Sequence, residues 1–280
     1  MKKYLRKFLY FLCVTIFMIF TLGPLLWTLV ISFTPESELL KHTSSLLPSK
    51  LYWGNYSKIL SPGTSSHTII FQGLKNSMEV SFLTILLGLP ICVAGGYGFS
   101  RFLFPGRKVT LTFILATIII PLFTTIIPIF SIFSNYGFLD NKFWLTLVYI
   151  SSFIPMVTWM NMIFFNTLPE ELWEAARVDG CNEWEAFTKV ILPISYPILI
   201  TTALMLFLMS WNQFQVPLIL TSSQKNKVLT LVLSEFMSRD TISYGLIAVS
   251  GILAIIPPGI LAVIFRHFLI SGLTSGSVKG

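Results

Sequence analysis

Charge is what this chain has least of. Acidic and basic side chains make up 11% of its 280 residues, against roughly 25% in soluble domains. So few charges cannot cover a surface facing water, so the chain is expected in a lipid bilayer. Cysteine is scarce as well. Cys13, Cys92 and Cys181 show no repeated spacing, so they give neither a disulfide framework nor a metal pattern. His42, His67 and His267 form no H-E-x-x-H, no G-x-S-x-G occurs, and the dipeptide GK is absent. The chain therefore offers no P-loop nucleotide site and no recognisable catalytic constellation. An energy source would lie in another subunit or in an ion gradient.

Long uncharged runs are abundant. A helix needs about 20 apolar residues to cross the hydrocarbon core. Six runs meet that length: 8–35, 80–100, 109–139, 143–169, 190–224 and 241–265. Each is expected to hold one transmembrane helix. The uncharged stretch 59–74 contains SPGTSSHT and is expected to be a loop. The opening MKKYLRK resembles a signal peptide, but the apolar run after it is too long and lacks a small-residue cleavage site. It is expected to be a retained first helix.

The net charge of +7 is read as anchoring of helix ends at the membrane surface. Nucleic acid is not expected as a partner, because no basic face with interleaved aromatics stands out. With the N-terminus inside, the segments 1–7, 101–108, about 166–195 and 266–280 hold eleven of the nineteen Lys and Arg residues. This bias predicts that both termini are cytoplasmic.

One charged stretch interrupts the apolar pattern. ELWEAARVDGCNEWEAFTKVILPISYP, residues 171–197, falls between the fourth and fifth runs. Thr167 and Glu170 have the spacing of a capping box, with Pro169 in the first turn. Leu168, Leu172 and Ala175 or Ala176 share one helical face. Gly180 suits a left-handed helix end. Asn182 and Glu185 form a second capping signal, and Trp184, Phe187 and Ile191 share the face of a second helix. Glu185 and Lys189 form an i,i+4 pair, and Pro193 marks the return to the membrane. The insert thus reads as helix, glycine turn, helix. Asp179 is locally misplaced, since a carboxylate at a helix C-terminus opposes the helix dipole. It either pairs with Arg177, caps the second helix or serves a partner.

These residues resemble the EAA loop of bacterial ABC importer permeases, E-A-A-x3-G-x9-I-x-L-P. Here the pattern reads Glu174, Ala175, Ala176, Gly180, Val190, Leu192 and Pro193, with Val in place of Ile. NS at 76–77, RFLFPGRK at 101–108, YGFLDN at 136–141, WNQFQVPLIL at 211–220 and the C-terminal GLTSGSVKG resemble the carbohydrate-uptake branch, the maltose-type six-helix permease. The resemblance is close from about residue 70 onward.

The resemblance implies an all-α membrane protein of the type I importer permease fold. It would have six transmembrane helices and a cytoplasmic coupling helix-turn-helix between helices four and five. It implies an N-terminal helix and extracellular loop over 1–70, a permease domain over 71–268 and a cytoplasmic tail over 269–280 placed to touch the ATPases. A second homologous permease would complete a heterodimer in the bacterial cell membrane, surrounded by lipid. Two ATPase subunits would supply ATP and Mg chemistry, for which this chain holds no cofactor. An extracellular or periplasmic solute-binding protein would deliver a carbohydrate. Glu174, Ala175, Ala176, Asp179, Gly180, Val190, Leu192 and Pro193 are then the expected ATPase-coupling residues.

For the solute pathway, polar groups at bilayer depth are informative. The fifth run offers Asn212, Gln213 and Gln215 beside Trp211 and Phe214. Amides suit hydroxyls and aromatic faces stack on sugar rings; the same amides also serve as bonds between helices. Pro24, Pro90, Pro121, Pro128, Pro155, Pro217, Pro257 and Pro258 are expected to interrupt or kink helices. The rival reading is a stand-alone ion-coupled secondary transporter, which needs titratable groups within the spans. Only Glu79 lies near the start of one, and it is expected at the outer interface.

Overall fold

The computed structural model describes residues 2–40, 47–238 and 243–268. Among these residues every regular element is helical. Four helices are long and apolar enough to cross a membrane: Lys3–Ser32, Ser65–Arg101, Lys142–Phe165 and Tyr244–Ile264. Two further pairs are sharply bent. Arg107–Ile119 and Phe123–Asn135 meet at 93°, and Glu183–Ile194 and Tyr196–Trp211 meet at 78°. The candidate spans therefore number four, or up to six if each bent pair is one span. The C-terminal tail read from GLTSGSVKG lies outside the described residues.

Local chemistry accounts for the bends. Ile120 precedes Pro121 and has extended backbone, ψ 118°, because a following proline excludes the helical region. Ser195 stands between Pro193 and Pro197 with ψ 6°, and Pro197 has no N–H to continue the helix. Other prolines do less than expected. Pro24, Pro90, Pro128 and Pro155 lie inside continuous helices, as do Pro257 and Pro258. The expected loop over 59–74 is also corrected: helix Ser65–Arg101 begins at Ser65 and runs for 37 residues. At 1.5 Å per residue it is about 55 Å long, well beyond the roughly 30 Å hydrocarbon core. Its first turns are polar because they project past the bilayer.

The chain divides into two compact units. The first comprises Met1–Gln72 with Val232–Pro257. Helix Lys2–Ser32 exposes Phe8, Phe11, Phe17, Ile19 and Phe20 around its whole circumference, a surface that only lipid or another apolar helix can cover. The segment after it carries caps. Asn55 Nδ2, buried, donates to the carbonyls of Ser32 (3.1 Å) and Thr34 (3.0 Å). Glu36 accepts from the Ser243 hydroxyl and from the Tyr244 and Gly245 amides. It thereby satisfies the open N–H groups that begin helix Tyr244–Ile264, where a carboxylate is favoured.

The second unit comprises Gly73–Leu231 with Pro258–Gly280. Helices Ser65–Arg101 and Lys142–Phe165 approach at Gly95 and Gly96. A Cβ on Gly96 would stand 2.6 Å from Asn161 Cβ and 2.9 Å from the Met162 nitrogen. Small residues permit this backbone contact, as is common between membrane helices. One core gathers Val80, Leu145, Tyr149, Phe153, Leu206 and Val216. A second gathers Val93, Tyr97, Phe165, Trp173, Phe187 and Ile191. Near the first core, Lys142 pairs with Glu79 and donates to Asn76 Oδ1 (3.0 Å). Asn76 Nδ2 donates in turn to the carbonyls of Lys225 and Lys227, both at 2.8 Å.

Asp140 fixes the turn before helix Lys142–Phe165. It sits at φ +55°, a region that Asp tolerates better than most residues. Its carboxylate accepts from the amides of Ser222 (3.1 Å) and Ser223 (3.0 Å). Partial burial alone would raise its pKa, but the donors from Ser223, Ser222 and Asn226 outweigh burial and hold it below the usual carboxylate value.

Two variants test this packing through thermal unfolding in detergent. Gly96→Ala is expected to cost about 1–3 kcal/mol by overpacking, whereas Gly98→Ala, where a Cβ meets nothing within 4 Å, is expected to cost nothing. Asp140→Ala is expected to lower stability by about 1–3 kcal/mol at neutral pH. Because the folded pKa is lowered, this contribution is fully present above the ordinary value of 3.8. It is lost as pH falls through the folded value. The Tm gap between wild type and Asp140→Ala should therefore stay constant from neutral pH down to about pH 5 and narrow below about pH 4.

Candidate functional site

Residues 171–194 form two helices joined at Gly180. The first, Glu171–Val178, ends in a fully made terminus. Gly180 has φ +84°, its N–H donates to Arg177 O (3.0 Å), and the Cys181 N–H donates to Ala176 O (2.9 Å). These two bonds are those of a Schellman motif, which requires a left-handed residue at this point. The second helix, Glu183–Ile194, opens with a reciprocal capping box. Asn182 Oδ1 accepts from the Glu185 N–H (2.9 Å), and Glu185 Oε2 accepts from the Asn182 N–H (3.1 Å). Glu185 Oε1 also accepts from Lys189 at 2.8 Å. The turn is thus closed on both sides by local bonds.

Three expectations are corrected. Thr167 does not cap the first helix. Its hydroxyl donates to Phe164 O (2.7 Å) at the end of the preceding helix, and the helix begins at Glu171 without a side-chain cap. Trp184 does not share the buried face with Phe187 and Ile191; it is 70% exposed while they are 7% and 0% exposed. Residues Ala186–Ile191 adopt a π-helical stretch, in which each residue turns through a smaller angle, so Trp184 falls off the face. Asp179 caps neither helix by its side chain and does not pair with Arg177, which instead meets Glu183 at 3.2 Å. Asp179 lies at the exposed turn.

Burial sorts the remaining residues. Ala176 is buried, Val190 and Leu192 are half-buried, and Glu174, Ala175 and Pro193 are exposed. Trp173, which the helical-face reading passed over, is the main inward anchor. It is 4% exposed, and its Nε1 donates to Tyr97 Oη at 3.0 Å. The Tyr97 ring packs against Phe187 and Phe165, with centroids 4.4 and 5.7 Å away. The i,i+3 spacing of Trp173 and Ala176 was the available signal. Inward-facing residues thus join the hairpin to the helices above it, while Glu174, Ala175, Val178, Asp179 and Trp184 remain outside.

The second candidate site is dispersed. Helix Tyr196–Trp211 ends at Trp211, so Asn212, Gln213 and Gln215 are not on its face. Trp211 is buried and stacks on Phe207, centroids 5.4 Å apart. Asn212 returns its amide to Leu208 O (2.8 Å), and Gln215 is exposed at the start of Gln215–Leu220. Gln213 alone reaches a cleft. This cleft, about 420 Å³, is lined also by Thr117, Thr125, Ser151, Ser152 and Met209. The paired serines within an uncharged run were the available signal for it.

Known proteins place this geometry. Residues 87–275 match the family described as binding-protein-dependent transport system inner membrane component. The chain is 28% identical over 281 residues to the trehalose/maltose transport system permease protein MalG of Thermococcus litoralis, covering 100% of this chain and 99% of that one. It is 29% identical to the galactooligosaccharides transport system permease protein GanQ of Bacillus subtilis, covering 100% and 98%. Its fold matches that of a bacterial ABC transporter involved in the import of the acidic polysaccharide alginate, with TM-score 0.79 and 19% identity over 95% of this chain and 97% of that one. The chain belongs to the family of binding-protein-dependent transport system inner membrane components.

Proposed function

We propose that this chain is a transmembrane subunit of an ATP-driven importer for a carbohydrate, and that the hairpin at residues 171–194 is where the ATPases engage it. The observation that carries the docking reading is the hairpin's outer surface. Val178 and Trp184 are 87% and 70% exposed beside a turn locked by Gly180. Large apolar groups in so exposed a position favour a protein partner, and a rigid turn loses little entropy on docking. Glu174 and Asp179, also outside, would accept charge-assisted hydrogen bonds from that partner. Ala175 permits close approach. Ala176, Val190, Leu192 and Pro193 serve the hairpin's shape and its return to the membrane.

In this reading each bent helix pair counts as a span, giving six, and both termini and the hairpin face the cytoplasm. The N-terminal helix and outer loop occupy 1–70, the permease domain 71–268 and the tail 269–280. A second permease completes the pathway, and ATP and Mg act on the ATPase subunits. The solute-binding protein follows from the family, and carbohydrate from the sugar transport named for the relatives. The cleft at Gln213 is the better solute contact, since hydroxyls and an amide without charge suit a neutral sugar; Trp211, Asn212 and Gln215 are engaged or turned elsewhere. An ion-coupled mechanism is not favoured, because Glu79 is held by Lys142 and Lys75.

The chain purified by an affinity tag in mild detergent is expected to carry one second permease and two ATPase copies, counted by mass spectrometry. Purification alone, with the ATPase present in the lysate, would overturn the reading. Gly180→Val places a β-branched residue at φ +84°, a strain of about 1–2 kcal/mol confined to the turn. It should leave the protein in the membrane and lower sugar uptake at least tenfold; normal uptake would refute the role given to the turn.

A further inference from the structure

The hairpin is joined by chain to only two of the membrane helices. Residues 166–170 connect it to Lys142–Phe165, and Ser195 connects it to Tyr196–Trp211. Both joints are pivots. The first has no regular structure apart from turns, and the second is the 78° bend. Two pivots leave a rigid hairpin free to rotate about the line between them. A third attachment from elsewhere is needed to stop that rotation, and helix Ser65–Arg101 supplies one.

Its last residue, Arg101, has a side chain only 17% exposed. The guanidinium carbon lies 5.2 Å from the Trp173 ring centroid. Nη1 is 3.8 Å from Glu170 and Nε is 3.8 Å from Glu183. One guanidinium therefore meets the entry of the hairpin, its first helix and its second helix. Arg177 shares the Glu183 carboxylate from within the hairpin, at 3.2 Å. One turn earlier on the same membrane helix, Tyr97 accepts the Trp173 Nε1 hydrogen bond. Beside Arg101, the Ser100 hydroxyl donates to Asn166 Oδ1 at 2.8 Å, tying down the first pivot. A planar cation that stacks on an indole and serves two carboxylates at once is an arginine arrangement. Lysine, a compact point charge, cannot reproduce it.

We propose that Arg101 is a positioning residue for coupling. It holds the hairpin to helix Ser65–Arg101, so that displacement of the hairpin moves that helix as one body instead of being absorbed at the two pivots. This rests on the importer reading, and the test separates the two. Spin labels are placed at Lys189→Cys on the hairpin and Phe82→Cys on the helix, both exposed, with Cys13, Cys92 and Cys181 replaced. Phe82 stands about 28 Å along the helix from Arg101. Distance distributions are measured by pulsed electron resonance on the assembled importer, with and without trapping by ATP and vanadate.

With Arg101 in place, one narrow distance is expected in both states. In Arg101→Ala the width should at least double and the mean should shift on trapping, and Arg101→Lys should not restore the narrow distance. A distribution in Arg101→Ala equal to the parent's in both states would overturn the proposal. If Arg101→Ala does not accumulate, Glu183→Gln decides by the same criterion: broadening supports the clamp and an unchanged distribution overturns it. If the parent chain purifies without ATPases, the importer reading fails. The clamp is then judged on the chain alone, where broadening in Arg101→Ala supports it and an unchanged width rejects it.

Discussion

Water is missing from the hydrocarbon core, so every backbone N–H and C=O there must find its partner within the protein. That requirement explains the all-helical architecture and the way irregular segments are handled. Where helix Lys2–Ser32 ends, Asn55 supplies donors to its carbonyls. Where helix Tyr244–Ile264 begins, Glu36 receives its amides. Where the chain turns before Lys142, the Asp140 carboxylate collects two amides of residues 222 and 223. Polar side chains are spent mainly on closing helix ends, so few remain within the spans.

The hairpin serves a different need. It must be firm on one side and available on the other. Trp173, Phe187 and Ile191 point inward to Tyr97 and Phe165, while the turn at Gly180 and the flanking Val178 and Trp184 stay outside. The inner contacts reach helices distant in sequence, so the outer face is held by tertiary packing as well as by its own caps. This division allows a small element to transmit force without unfolding. The family gives such an element its context: a membrane subunit that works with a binding protein.

Much of this was legible in the residues. Charge-free runs located the long helices because charge is costly in lipid. Gly180 and the Asn182–Glu185 pair announced the turn, since their roles depend on neighbours at most a few residues away. Features set by distant contacts were not legible. Thr167 had the spacing of a cap, but the end of the preceding helix claimed its hydroxyl. Trp184 fitted a buried face until the π-helical stretch rotated that face. Four prolines read as interruptions lie within straight-running helical assignments, because a membrane helix can lose one bond and retain the rest. The amides of Asn212 and Gln215 drew attention by composition, yet the break after Trp211 separates them from the cleft that Gln213 reaches.

The π-helical stretch Ala186–Ile191 makes the hairpin sensitive to length. Deleting one residue from it would restore ordinary helical winding, but everything downstream would turn by about 100°. The buried sides of Ile191, Ile198 and Leu206 would then be rephased together. A change of one codon in a short surface element would thus redirect an entire membrane helix. Chimaeras and engineered variants should therefore exchange this segment only residue for residue.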